Sequence, residues 1–332
     1  MECPAIDSTR TKSQSRAFWS VLILTPVILA LCVLMGPSGF GFPDLHSQRE
    51  ILTLRLTRVL AGLVIGGALS CSGVVFQAVL RNPLAEPYVL GVSSGAGLGA
   101  ALAILTGFAA AGAFALPLAA FVMAVFTLFM VYMLSGHGSA PSLYGLILSG
   151  VIVSSICSSL LMFMVSVASL EGMHSILWWM LGNLEVTSNS ILTFSAVVVL
   201  AGCIGLWLMA RELNALTLGH QMAHHLGIRV KAAVITGLLL ATLITATAVG
   251  VAGLIGFVGL VVPHIMRNLV GADHRRLIPA ATLGGGAFLA LCDAVARTIL
   301  PVEIPVGVIT ALIGGPFFLF LLKRRKTPGW IG

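Results

Sequence analysis

Charge is what this chain has least of. Asp, Glu, Lys and Arg make up 9% of its 332 residues, where a soluble domain carries roughly 25%. A water-soluble fold of this length could not cover its surface with so few charges. With 58% hydrophobic residues and a mean hydropathy of +1.07, the sequence is that of an integral membrane protein. Cysteine supplies no framework. Cys3, Cys32, Cys71, Cys157, Cys203 and Cys292 form no close pair, and all but Cys3 lie in apolar runs, which excludes a disulfide scaffold and a cysteine zinc motif. No G-x-x-x-x-G-K-S/T loop occurs, so the chain has no phosphate loop of its own for ATP. Gly95, Gly97 and Gly99 open an apolar run with no strand before it. That excludes a dinucleotide fingerprint and leaves close helix packing or a pore lining.

Intramembrane charge is equally scarce. An ion-coupled secondary transporter needs several such groups to bind and move its ion, and Asp293 is nearly alone in its apolar run. A membrane enzyme needs clustered catalytic groups. His264 is the one histidine within a long apolar run, and no nucleophile or carboxylate accompanies it at helical spacing.

What is present is apolar length. Runs of about 20 residues recur throughout, the length a helix needs to cross a bilayer. They predict ten spans near 17–36, 56–80, 88–107, 112–134, 143–168, 190–210, 231–250, 254–270, 277–299 and 305–322, so the fold class is an all-α integral membrane protein. The eighth is short, and glycines at 250, 253, 256 and 259 interrupt the run from the seventh, a pattern that suits a segment lining a pathway. With the N-terminus inside, only Arg49, Arg55, Arg58 and Arg297 lie outside, and every other Lys and Arg is cytoplasmic, as the positive-inside rule requires. Both termini are then cytoplasmic. The division is a tail at 1–16, a transmembrane domain at 17–322 and a tail at 323–332, with no separate soluble domain. Basic residues before Ala17 mimic a signal peptide, but the run is long and lacks a small-x-small cleavage site, so it reads as a retained first span. The net charge of +7 reflects anchoring in the lipid and implies no nucleic acid. Trp178 and Trp179 fall in an outer loop near 169–189, where an aromatic belt is expected.

Three polar features interrupt the apolar runs. RNPLAEPYVLG at 81–91 holds two prolines and two charges, which no lipid-facing span tolerates. It is a structured interruption. The inner loop 211–230 is longer than the usual connector of about 2–8 residues. Leu216, Leu218, Met222, Leu226 and Ile228 give it an apolar face, and Gly219 and Gly227 divide it into short helices. It either rests on the bilayer or docks into a cytoplasmic partner. His220 and His224 are four apart, but no acidic third ligand is near, so no metal is expected. Outside, Asp293 and Arg297 are spaced to pair on one helix face. Arg55 and Arg58, three apart at the start of the second span, either snorkel to headgroups or meet an acidic partner.

Five segments, 55–97, 177–185 (LWWMLGNLE), 213–228 (LNALTLGHQMAHHLGI), 256–280 and 293–322, resemble in order and spacing the FecCD family of ABC-importer permeases, the type II importers of iron–siderophore, haem and cobalamin. The resemblance covers almost the whole chain. It implies a ten-helix permease fold, one of two membrane copies, most simply a homodimer. Two separate ATPase subunits would sit below it and a periplasmic binding protein above, in the bacterial inner membrane. The chain would be a transport subunit and not an enzyme, with no cofactor. Leu218, Gly219, Ala223, Leu226 and Gly227, with Met222 on the same face, match the family's ATPase-coupling loop. Asn82, Pro83, Leu84 and Ala85 match its cytoplasmic gate. Arg55, Arg58 and Arg297 match the arginines that meet glutamates of the binding protein. Thr57 stands where many relatives have proline, and 136–145 is a second gate region in relatives without a residue-by-residue match here. The implied cargo is an iron chelate, siderophore or haem, with cobalamin as the alternative.

Overall fold

The computed structural model describes residues 8–36, 39–40, 49–135, 143–186, 188–300 and 302–324. Residues 1–7 of the expected N-terminal tail, 325–332 of the C-terminal tail and 136–142 of the second gate region lie outside the described residues. Within them the chain is helical: α1 Ser8–Leu34, α2 Arg49–Val79, α3 Val92–Leu105, α4 Ala115–Leu134, α5 Leu143–Val167, α6 Leu170–Met180, α7 Asn189–Leu208, α8 Ala210–Thr217, α9 His220–His225, α10 Val230–Ala252, α11 Val258–Val270, α12 His274–Thr298 and α13 Val306–Arg324. α1, α2, α4, α5, α7, α10 and α12 contain stretches long and apolar enough to cross a membrane, and α3, α11 and α13 are shorter apolar helices. These correspond to the ten expected segments. The end carrying Arg81, Arg211, Arg267 and Arg275 is called the inner end below, following the positive-inside rule.

The boundaries differ from expectation where polar residues extend or cut a helix. α2 begins at Arg49, seven residues before position 56, and is 31 residues long. At 1.5 Å per residue such a helix reaches ~46 Å, beyond the hydrocarbon core. α3 begins at Val92 because Pro87–Leu90 forms a 3-10 turn that Gly91 caps in the left-handed conformation, φ 82°. The outer segment 169–189 is not all loop. Ser169 caps α6 by accepting a hydrogen bond from Gly172 N, and Trp178 and Trp179 lie on that helix.

α2 is the central helix, packed against α12, α10, α11 and α7. From Gly66 to Val79 its residues are all buried. Lipid tails are as apolar as leucine, so helices in a membrane associate by close contact more than by exclusion of water. Here glycines allow that contact. A Cβ at Gly66 would collide with Gly285 O of α12, and one at Gly73 with Gly259 O of α11. The outward faces of α4, α5 and α7 carry exposed Val122, Phe126, Phe129, Ile152, Phe163, Phe194 and Leu200, a surface suited to lipid.

Candidate functional site

At the inner end, α2 stops at Val79 and Arg81 takes a left-handed conformation, φ 46°. The next residues fold on themselves. Asn82 Oδ1 accepts from Leu84 N at 3.0 Å and Asn82 O from Ala85 N at 3.0 Å, the local turn that asparagine favours. Ala85 is buried. The expected gate residues Asn82 to Ala85 therefore form one compact turn between α2 and the 3-10 segment.

Two further residues of this segment were not singled out from the sequence. Glu86 Oε1 accepts from Phe257 N at 2.8 Å. Tyr88 Oη donates to Ile255 O at 2.9 Å and accepts from Ile255 N at 3.0 Å. The broken stretch between α10 and α11, where Phe257 sits at φ 68°, thus has three backbone groups satisfied by side chains from segment 81–91. Irregular backbone within a membrane protein needs such partners. The signal was available in outline: a glycine-broken apolar run must find its hydrogen bonds somewhere.

The inner loop 211–230 folds as expected into two short helices, α8 and α9, parted at Gly219, φ 111°, and closed at Gly227, φ 82°. Its coupling candidates divide by exposure. Leu218, Met222 and Leu226 are 62%, 52% and 58% exposed, while Ala223 is fully buried. Ala223 N donates to Gly219 O at 2.8 Å and Ala223 O accepts from Ile228 N at 3.0 Å, so Ala223 closes the loop and the three large residues form its outward ridge. The loop is fastened to α12. Asn214 Nδ2 donates to Asp273 Oδ1 at 2.8 Å and its Oδ1 accepts from His274 N at 3.0 Å. Trp207 Nε1 donates to Arg275 O at 3.0 Å. Burial pushes the Asp273 carboxyl up, but the Asn214 amide, the Arg275 N–H and the neighbouring cations outweigh it and hold it below its ordinary value. Asp273 also caps α12 by accepting from Arg275 N.

At the outer end the three arginines come together around α12. Arg297 Nε lies 2.9 Å from Asp293 Oδ2, and Arg58 lies 3.3 Å from Asp293 Oδ1 and 2.8 Å from Glu303 Oε1. The pair at positions 293 and 297 is made, with Arg58 as a second cation on the same carboxylate. Arg297 is 3% and Arg55 5% exposed. Arg55 donates to Val33 O and Leu34 O at 3.4 Å and packs over Gly36. Arg58 and Glu303, with side chains 15% and 47% exposed, face outward. α2 runs unbroken through Thr57, whose hydroxyl donates to Thr53 O at 2.9 Å. An outer cavity of about 740 Å³, lined by His174, Trp178, Asn183 and Glu185 among others, opens beside α6.

Comparison with known proteins gives the family. Residues 16–324 match the model of the FecCD transport family. The chain is 38% identical over 327 residues to the hemin transport system permease protein HmuU of Yersinia pestis, covering 94% of this chain and 97% of that one. It is 41% identical over 292 residues to the cobalamin import system permease protein BtuC of Halobacterium salinarum, covering 88% and 78%. The molybdate import system permease protein MolB of Haemophilus influenzae is 37% identical over 287 residues, covering 86% and 84%. Among solved structures, an inward-facing metal-chelate type ABC transporter superposes with a TM-score of 0.85 at 32% identity, covering 94% of this chain and all of that one. A family match that runs from residue 16 to residue 324, with relatives alike over nearly their whole length, makes the chain a member of the FecCD transport family.

Proposed function

We propose that this chain is the membrane subunit of a binding-protein-dependent ABC importer that carries an iron chelate, siderophore or haem, across the bacterial inner membrane. Two copies would enclose the path between them. Two separate ATPase subunits would take the α8–α9 ridge, and a periplasmic binding protein would dock on the outer surface beside Arg58. The observation that carries the reading is the family match over 16–324 in a chain with no phosphate loop. The exposed ridge of Leu218, Met222 and Leu226 at the inner end supports an ATPase contact there, because large apolar side chains on a polar-facing loop favour a protein partner. ATP binding would then close the ATPases, and the loop would pass that motion through Asn214 to α12. Cobalamin is the second reading of the cargo, favoured by the resemblance to an import permease for that molecule.

The test is reconstitution with the cognate ATPase and binding protein in liposomes. ATP-dependent uptake of a ferric siderophore or of haem, absent without the ATPase, is the expected result. Uptake of cobalamin alone would move the cargo assignment to the second reading. Purified permease that hydrolyses ATP, or imports with no ATPase present, would overturn the proposal.

A further inference from the structure

Three helices leave a groove that runs from the outer surface down into the membrane. α4 and α7 begin at the outer side and α10 ends there, and both α4 and α7 pack on α10. Between them lies a cavity of about 310 Å³, walled by Phe114, Leu118 and Phe121 on one side and by Phe194 and Val198 on the other. Leu243, Thr247 and Val251 form its floor. They recur every fourth residue along α10, so the floor descends ~12 Å on one helix face. The Thr247 hydroxyl donates to Leu243 O at 2.8 Å, and the rest of the lining is apolar apart from Ser195. Phe114, which precedes α4, meets Phe194 edge to face with ring centroids 6.2 Å apart, so the two walls touch at the outer end.

The groove continues into the outer cavity of about 740 Å³ beside α6, because Pro117, Ile191 and Val251 line both. The chemistry changes there. Ser175, Trp178 and Trp179 of α6 line the outer cavity with Asn183 and Glu185, and all five are at least partly exposed. His174 stacks nearly parallel to Trp178, with centroids 6.0 Å apart, which makes an aromatic wall. Glu185 is the one carboxylate in the lining, and no Lys or Arg joins it. Arg58 lies within electrostatic range of Glu185, but its ion pairs go to Asp293 and Glu303. Asn183 Oδ1 accepts from Glu185 N at 2.9 Å, which leaves the amide N–H groups as the end to donate.

A molecule that fills both parts needs an apolar tail, a hydrogen-bond acceptor above it and a cation at the far end. Glu185 and the aromatic wall select the cation. The Asn183 amide and the Ser175 hydroxyl can donate to an anionic oxygen. Tryptophans at this level mark the outer membrane–water boundary, so the tail would lie in the outer leaflet. Phosphatidylethanolamine carries these groups in this order. A headgroup with phosphate and no amine would meet Glu185 with no cation in the lining to offset it. A choline headgroup keeps the positive charge but has no N–H to give the carboxylate. We infer that the outer cavity and the groove are one binding site for an outer-leaflet phospholipid with a primary-amine headgroup, its ammonium at Glu185 and one acyl chain between α4 and α7. Its occupant would tie α6 to the outer ends of α4, α7 and α10. The site rests on the chain's place in a membrane and does not depend on the cargo.

Native mass spectrometry of the full chain in detergent tests the site, by titration with phosphatidylethanolamine, phosphatidylcholine and phosphatidylglycerol of identical acyl chains. Phosphatidylethanolamine should be held about tenfold more tightly than phosphatidylcholine, the order of one hydrogen bond to a charged group, and phosphatidylglycerol more weakly than either. Glu185→Gln should bring phosphatidylethanolamine down to the phosphatidylcholine level. Glu171→Gln, on α6 but outside the lining, should leave the preference intact. Val198→Trp fills the groove and should weaken both lipids by about tenfold through lost burial of the chain, with the unfolding midpoint as the check on its fold. Glycerophosphoethanolamine, the same headgroup without chains, tests the groove with no substitution and should fail to compete. No retained lipid, equal retention of the ethanolamine and choline lipids, equal loss in Glu171→Gln, or full competition by the chain-free headgroup would overturn the inference. An unchanged lipid preference in Glu185→Gln, with slower docking of the binding protein, would overturn it too and assign the cavity to that protein.

Discussion

Arg58, near the outer end of α2, reaches Asp293 of α12 at 3.3 Å. Asp293 already holds Arg297 at 2.9 Å, so one carboxylate almost wholly out of contact with solvent is shared by two guanidiniums. Removing a single member of a buried ionic set leaves the rest uncompensated. Asp293→Asn should destabilise the folded permease by about 3–5 kcal/mol, read as a drop in unfolding midpoint in detergent. Glu303→Gln removes an exposed partner and should cost under ~1 kcal/mol. Equal effects from the two substitutions would mean that the cluster is not the fastening it resembles.

The same geometry separates the three proposed docking arginines. Arg58 shares its charge with the half-exposed Glu303, whereas Arg297 is sealed beneath it. Arg58→Glu should slow association of the binding protein, and the defect should shrink as salt screens the encounter. Glu303→Gln, which removes a competing carboxylate, should speed it. Arg297→Glu should lower stability first. Association kinetics at low and high ionic strength check Arg58→Glu and Glu303→Gln, and the unfolding midpoint in detergent checks Arg297→Glu; an unaltered rate in Arg58→Glu would place docking elsewhere.

On the inner side, burial divides coupling from folding. Met222 is exposed, so Met222→Glu should leave the permease folded and weaken ATPase association, measured by co-purification and by uptake. Ala223 is sealed within the loop, so Ala223→Arg should disrupt the α8–α9 turn itself by forcing a charge into a buried position. Loss of uptake in Ala223→Arg alone, with Met222→Glu unaffected, would remove the ridge from the ATPase contact.

Tyr88 carries a fourth prediction. Tyr88→Phe keeps the ring and deletes both hydrogen bonds to Ile255, leaving a buried backbone N–H and C=O unpaired. The expected cost is about 1–3 kcal/mol for an unsatisfied group, with faster amide hydrogen exchange confined to 253–257. Exchange that stays unchanged there would show that the α10–α11 break is held by packing alone.

Asp273 gives a pH dependence. Its folded carboxyl lies below the ordinary value, so its contribution is present above the unfolded pKa, near 3.9, and is lost as pH falls through the folded value. Asp273→Asn should therefore lower the melting temperature at neutral pH and converge on wild type in strong acid. A constant difference across that range would assign the effect to something other than the charge.

Much of this was legible in the sequence because a bilayer imposes length and polarity rules on every span. The ten apolar segments, the division of 211–230 at Gly219 and Gly227, and the pairing of Asp293 with Arg297 all follow from local spacing. Long-range partnership was not legible. Nothing in the spacing of Arg58 says that it reaches Asp293 on α12, because that meeting depends on which helices pack side by side. Nor does the sequence show that Ala223 faces inward while Met222 faces out, since α9 is too short to display a period. Glu86 and Tyr88 were hidden for another reason. Their partners are backbone groups of the α10–α11 break, and a backbone acceptor has no letter in a sequence.

The glycine contacts of α2 carry a mechanical consequence. At Gly66 against Gly285 and at Gly73 against Gly259, the helices touch backbone to backbone. Leu63 fills the space over Gly286 in the same seam. The seam therefore has no slack: any side chain larger than hydrogen at Gly66 or Gly73 would wedge two backbones apart, and the spacing of the central helices is set by the peptide chain itself.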